Sequence, residues 1–305
     1  MEELMRNVLQ RLGRSRTAGR LARRYGLRLG ASRFVAGETL EQAMRTVRRL
    51  NAEGLMATLD HLGEFTRSEA EAARAAAACR RTLEAIAESG ANANLSLKLT
   101  SLGLDLDEGL CLRNVREILD AARGYGNFVR IDMEDSARCQ ATLDLYRKLR
   151  ADGYDNVGVV IQAYLYRSER DVEDLSGLGA NLRLVKGAYK EPADVAYPEK
   201  RQVDRQFRVL IRKQLLGGNY AAIATHDEAV VEETKAFIRE RGIAREAFEF
   251  QMLYGIGEGL QRRLVREGYR VRVYVPFGVD WFGYFMRRLA ERPANVRFVL
   301  RNLLR

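Results

Sequence analysis

The stretch "FVRID", Phe128–Asp132, decides how the chain folds. As a strand it alternates, with Val129 and Ile131 on one side and Phe128, Arg130 and Asp132 on the other. The same division returns elsewhere. "LSLK" sets Ser96 and Lys98 opposite Leu95 and Leu97, and "FEFQ" sets Glu249 and Gln251 opposite Phe248 and Phe250. "RVRVY" separates Arg270, Arg272 and Tyr274 from Val271 and Val273. The apolar set belongs against helices, so the polar set must face inward.

Working outward, short apolar or β-branched runs recur along the chain. They are "LMATL" from Leu55, "LSLKL" from Leu95, "FVRID" from Phe128, "VGVVIQ" from Val157, "LRLVK" from Leu182, "AAIAT" from Ala221, "FEFQML" from Phe248 and "RVRVYV" from Arg270. Between them lie helical patterns such as "EAEAARAAAACRRTLEAIAES" and "ARCQATLDLYRKLRADG". Strand and helix alternating eight times predict an α/β fold, a (β/α)8 TIM-type barrel. An open, doubly wound sheet is the alternative, and eight units favour closure. Residues 1–50 are expected to form an N-terminal helical extension packed on the barrel, and residues 51–305 the barrel itself.

The interior is the unusual part, because barrels are ordinarily filled by Val, Ile and Leu. Arg130, Glu249 and Arg272 lie low on their strands, where an interior salt-bridge network would satisfy them. Lys98, Asp132, Gln162, Arg183, Gln251 and Tyr274 lie near carboxyl ends, where barrel active sites sit. Buried polar groups need partners, so this convergence points to a ligand with its own polar edge. In "LRLVKGAYK", Leu182–Lys190, Arg183 faces that mouth, and Lys186 contributes after the strand breaks at Gly187. A glycine there lets backbone approach a ligand closely.

A chain of 305 residues with 47% apolar content and four prolines is globular throughout. No apolar run reaches the ~20 residues of a membrane span, and the amino terminus lacks the apolar core of a secretory signal. Cys79, Cys111 and Cys139 are odd in number and far apart, which argues against disulfides and against an ordinary zinc site; no metal is expected, and the compartment is expected to be a reducing cytoplasm. Much of the net charge of +10 comes from the first 35 residues, where nine arginines face two glutamates. No nucleic-acid motif accompanies that charge. A basic helix lying on an anionic membrane surface, or simply packed on the protein, explains it better.

The motifs "LSLKLTSLGLDLD", "FVRIDMEDS", "VVIQAYLYRSERD", "LRLVKGAY", "ATHD", "FEFQMLYGI", "YVPFG" and "YFMRRLAERPAN" occur in the order typical of proline dehydrogenases. From about Leu55 onward the chain resembles the short, monofunctional bacterial form of that family. The resemblance implies a distorted (β/α)8 barrel holding FAD without a covalent bond. It implies oxidation of L-proline to Δ1-pyrroline-5-carboxylate, with electrons passed to a membrane quinone and peripheral attachment to the inner face of the cell membrane. A separate pyrroline-5-carboxylate dehydrogenase would act downstream, since the length leaves no room for a fused one or for a DNA-binding module. A homo-oligomer is left open.

Carried over by motif, Met133, Gln162, Arg183, the Lys186-Gly187-Ala188 turn and Thr225-His226 would contact the flavin. Asp132 and Arg183 fall at catalytic positions. Lys98, Leu253, Tyr274, Tyr284, Arg287 and Arg288 would surround the proline, with Glu64 pairing Arg287 as a gate. Lys190 stands where some relatives place an aromatic residue. The first 50 residues lie outside these motifs.

Chemistry supports parts of this. On a helix, Arg287 and Arg288 fan from adjacent positions, with Tyr284 one turn earlier and Glu291 one turn later. The planar guanidinium fork suits a substrate carboxylate. Hydride transfer to flavin N5 requires a neutral substrate amine, and Lys98 is a candidate proton acceptor or electrostatic guard. A lysine near its usual pKa of ~10.4 is a poor base, however. Arg183 would stabilise negative charge on reduced flavin, and Asp132 would orient Arg183 or Lys98. "GIGEG", Gly255–Gly259, lacks the context of a nucleotide loop. Asp60 and His61 are read as structural. Two rivals remain: a cofactor-free lyase using Lys186 or Lys98 as a Schiff base, and a basic protein that binds nucleic acid or membrane without catalysis.

Overall fold

The structure, a computed structural model, describes residues 31–291; the arginine-rich amino terminus and the "RPAN" segment lie outside the described residues. The strands are β1 (Met56–His61), β2 (Ala93–Leu97), β3 (Val129–Ile131), β4 (Val157–Gln162), β5 (Leu182–Val185), β6 (Ala221–Ala224), β7 (Phe248–Leu253) and β8 (Val271–Phe277). All pair in parallel, each with its sequence neighbours, and β8 returns to β1 to close the barrel. The helices are α1 (Leu40–Ala52), α2 (Glu69–Ser89), α3 (Glu108–Gly124), α4 (Ser136–Ala151), α5 (Ser168–Ser176), α6 (Lys200–Leu216), α7 (Glu228–Arg241), α8 (Glu258–Arg266) and α9 (Trp281–Glu291). The (β/α)8 expectation is met.

Local chemistry sets the helix ends. Thr39 and Gln42 form a capping box that starts α1, and Ser68 accepts from Glu71 N to start α2. Gly90, at φ 61°, ends α2 in the left-handed conformation that glycine takes without strain.

The alternation read from the sequence is the alternation of the barrel wall. Leu59, Leu95, Ile131, Val159, Leu184, Ile223, Phe250 and Val273 point outward and are fully buried under the helices. Side chains of this size contribute about 1.5–3 kcal/mol each on burial. The inward set is polar, as expected. Glu249 receives Arg272 Nε at 2.8 Å and Tyr220 Oη at 2.9 Å.

Arg130 departs from the expected network with Glu249 and Arg272. Its guanidinium instead donates to the Asn181 carbonyl at 2.5 Å, the Asn181 side chain at 2.5 Å and the Val159 carbonyl at 3.2 Å. A Cβ on Gly158 would lie 2.4 Å from Arg130 Nη1, so that glycine provides the room. The β4 and pre-β5 carbonyls, with the Asn181 side chain, thus take the terminal nitrogens of a cation expected to meet a carboxylate.

Helix α1 runs across the expected boundary near residue 50. Its Ala43, Met44, Val47 and Leu50 join the same core as the strands. A second cluster seats Phe34, Val35 and Leu62 against Trp281, Tyr284 and Phe285, while Trp281 Nε1 donates to Glu38 at 3.0 Å. This packing fixes α9 against the strand-end face. Among the described residues no helix is long and apolar enough to cross a membrane.

Candidate active site

Five side chains, from within β1, β5 and β8 and from the residues directly after β2 and β3, form one buried charge cluster. Lys98 Nζ lies 2.8 Å from Asp60 and 3.4 Å from Asp132. Arg183 Nη1 lies 2.6 Å from Asp132 Oδ1, and its Nη2 donates to Ser96 Oγ at 3.0 Å. The Tyr274 hydroxyl sits 2.5 Å from Asp60 Oδ2 and 2.7 Å from Asp132 Oδ2, so one proton serves two carboxylates. The Arg183 guanidinium carbon lies 5.3 Å from the Tyr274 ring centre. Two acids balance two bases, which allows such charge to be buried.

The electrostatics assign protonation states. Burial opposes the Lys98 charge, but the Asp60 and Asp132 carboxylates outweigh it and hold the ammonium well above its usual range. Burial likewise opposes the Asp132 charge, and Arg183 with Lys98 overcomes it, leaving the carboxyl below its usual range. Burial raises Tyr274, and Asp132 and Asp60 raise it further, so it stays a phenol. Lys98 is therefore a fixed cation. That arrangement argues against Lys98 as the proton acceptor and against Lys98 as a Schiff-base amine.

Arg287 meets Glu64 in a forked pair at 2.7 and 3.3 Å. Burial opposes the Glu64 charge, while Arg287 and then Lys98 lower its pKa. Arg288 is buried beside Arg287, with its guanidinium carbon 5.0 Å from the Tyr284 ring centre.

The expected flavin contacts occupy neighbouring strand ends. Met133 is buried directly after Asp132, and Gln162 Nε2 donates to the Glu134 carbonyl at 2.8 Å. Lys186 is paired with Asp204 at 2.6 Å and Asp227 at 3.0 Å. Thr225 Oγ1 accepts from Asp227 N at 3.0 Å, and His226 Nε2 accepts from Leu253 N at 2.9 Å. Gly187, at φ 116°, is required by its conformation and by Tyr164, whose ring would lie 2.5 Å from an added Cβ. The Tyr164 contact alone thus calls for a glycine at this turn. Ala188 follows it, half-buried.

Three residues escaped the sequence reading. Asp60, expected to be structural, holds both Lys98 and Tyr274. Its signal was present, since Thr58 and Asp60 continue the inward parity of β1. Ser96 was placed on the inward face without a role and now receives Arg183. Glu134 is 2% exposed and binds Thr100, a pairing across the barrel end that no local pattern discloses.

Comparison with known proteins identifies the family. The sequence model of the proline dehydrogenase family matches residues 43–301. Proline dehydrogenase 1 of Bacillus subtilis is 52% identical over 302 residues, covering 99% of this chain and 100% of the relative. Proline dehydrogenase of Deinococcus radiodurans is 47% identical over 279 residues, 90% of each chain. Among solved structures, proline utilization A from Bdellovibrio bacteriovorus, inactivated by N-propargylglycine, superposes with a TM-score of 0.81 at 27% identity. That match covers 86% of this chain and 32% of the longer protein. On fold, strand-end chemistry and sequence together, this chain belongs to the proline dehydrogenase family of oxidoreductases.

Proposed function

We propose that this protein oxidises L-proline to Δ1-pyrroline-5-carboxylate in proline catabolism, using non-covalently bound FAD and passing electrons to a membrane quinone. The observation that carries the reading is the balanced cluster of Asp60, Lys98, Asp132, Arg183 and Tyr274 at the strand ends. FAD, when bound, supplies a two-electron hydride acceptor. The residues fit such a group. Arg183 Nε is buried with no partner in the protein, which leaves a donor for a ligand's polar edge. Met133, Gln162, Lys186, Gly187, Ala188, Thr225 and His226 line the adjoining strand ends and would hold it with Arg183.

For the substrate, Arg287 and Arg288 present guanidinium forks to the carboxylate. Tyr274 and Leu253 would bound the ring, with Tyr284 beside the arginines. Lys98, a fixed ammonium, disfavours a protonated substrate amine beside it and so favours the neutral form that oxidation requires. Asp132 holds Arg183 and Tyr274 in place. The Glu64–Arg287 pair would close the site, excluding water. The product passes to a separate dehydrogenase.

Denaturing the purified protein and identifying the released chromophore tests the reading. Release of FAD is expected. A colourless protein that borohydride traps covalently with a carbonyl substrate would replace it with the Schiff-base lyase.

A further inference from the structure

The pair that closes the site hangs on a loop whose anchorage is visible. Glu64 sits between β1 and α2, and the next residue, Phe65, has φ 58°, a left-handed conformation that a bulky side chain adopts only under constraint. Phe65 is 45% exposed and its ring carries the Arg138 guanidinium carbon 5.1 Å from its centre, a contact that does not reach the backbone. Hydrogen bonds do. Phe65 N donates to Thr100 Oγ1 at 3.4 Å. Thr66 donates to the Thr100 carbonyl twice, from N at 3.2 Å and from Oγ1 at 3.0 Å.

Thr100 is fixed in turn by Glu134. Thr100 N donates to Glu134 Oε1 at 3.0 Å and Thr100 Oγ1 donates to Glu134 Oε2 at 2.6 Å. Both residues are almost fully buried. The forked contact points the Thr100 hydroxyl proton at Glu134 and leaves its lone pairs toward Phe65 N. Gln162 holds the Glu134 backbone from β4, so the chain of contacts starts on the barrel wall and ends beside Glu64.

We propose that Glu134 and Thr100 are a positioning pair that clamps the Glu64 loop, so that Glu64 meets Arg287 across the substrate site. The inference rests on the proposed function for its substrate, while the clamp itself is a property of the protein alone. Glu134 makes no hydrogen bond to Arg287 or Glu64, and its hydrogen-bonded route to the loop runs through Thr100.

The test compares Thr100→Val, which removes the hydroxyl, with Thr100→Ser, which restores it. Hydrogen exchange in peptides spanning residues 62–67 should quicken in Thr100→Val and return to the wild-type rate in Thr100→Ser. KM for proline should rise about five- to tenfold in Thr100→Val, with kcat within about twofold. On a Glu64→Gln background, which has already lost the ion pair, Thr100→Val should change KM by less than about twofold. Unaltered exchange, an unaltered KM, or an equal KM rise on both backgrounds would each overturn the clamp. Should Thr100→Val not fold, Glu134→Gln carries the test. It opposes an amide N–H to the hydroxyl and should move exchange and KM in the same direction, and no movement overturns the proposal. Failure of the wild-type protein to oxidise proline would overturn the proposed function instead, leaving the exchange result to judge the clamp.

Discussion

Arg183 Nη1 stands 2.6 Å from Asp132 Oδ1, with both side chains buried at the mouth of the barrel. Arg183 thereby restrains the acid that also receives Lys98 and Tyr274. Removing one partner of such a pair leaves an uncompensated buried charge. Arg183→Ala should lower the unfolding free energy by about 3–5 kcal/mol and reduce the FAD that copurifies. Denaturant titration and flavin content measure both; wild-type values in each would take Arg183 out of the site.

Arg287 is held by Glu64, whereas Arg288 is buried against Tyr284. Both are expected to grip the substrate carboxylate. Arg287→Met and Arg288→Met should each raise KM for proline by an amount worth about 2–5 kcal/mol while FAD stays bound. Steady-state kinetics on flavin-loaded protein decide this, and near-normal KM in both variants would return them to a packing role.

Tyr274 combines two functions that substitution can separate. Its hydroxyl bridges Asp60 and Asp132, and its ring is expected to close the space beside proline C4. Tyr274→Phe should keep the preference for proline over trans-4-hydroxy-L-proline. Tyr274→Ser should shift that preference by roughly 1–3 kcal/mol toward the hydroxylated ring. The ratio of kcat/KM values for the two substrates reports the result, and an unchanged ratio in Tyr274→Ser would assign the ring to packing alone.

Glu134 gives a pH signature. Burial lifts its pKa from 4.5 to about 7, against the lowering effect of the Thr100 hydrogen bonds. Between pH 4.5 and about 7 the folded state therefore holds a proton that the unfolded chain has released. Stability from this group is fully present below pH 4.5 and is lost as pH rises through about 7. Replacing Glu134 with Gln should flatten that part of the stability profile measured by denaturant titration. An unchanged slope would contradict the assignment.

Much of this was legible because strand parity is local. "FVRID" alone divides Ile131 from Asp132, and the barrel keeps that division. Asp60, the residue directly after "LMATL", is within reach of the same argument. Other features depend on closure of the barrel. Arg130 finds carbonyls because Gly158 leaves room on the next strand, and Glu191 accepts from Ser136 N at 2.8 Å to cap α4 from 55 residues away. Gly187 was legible as a constrained position, but Tyr164 as its cause was not. Spacing reveals which face a side chain takes, while its partner is set by the strands that close around it.

The central claim is that this strand-end cluster serves flavin-dependent proline oxidation. Anaerobic mixing of the purified protein with L-proline tests it most directly, following visible flavin absorbance and pyrroline-5-carboxylate together. The bound flavin should bleach, with one product formed per flavin reduced. A flavin-loaded protein whose absorbance L-proline leaves unchanged, with no pyrroline-5-carboxylate formed, would contradict it.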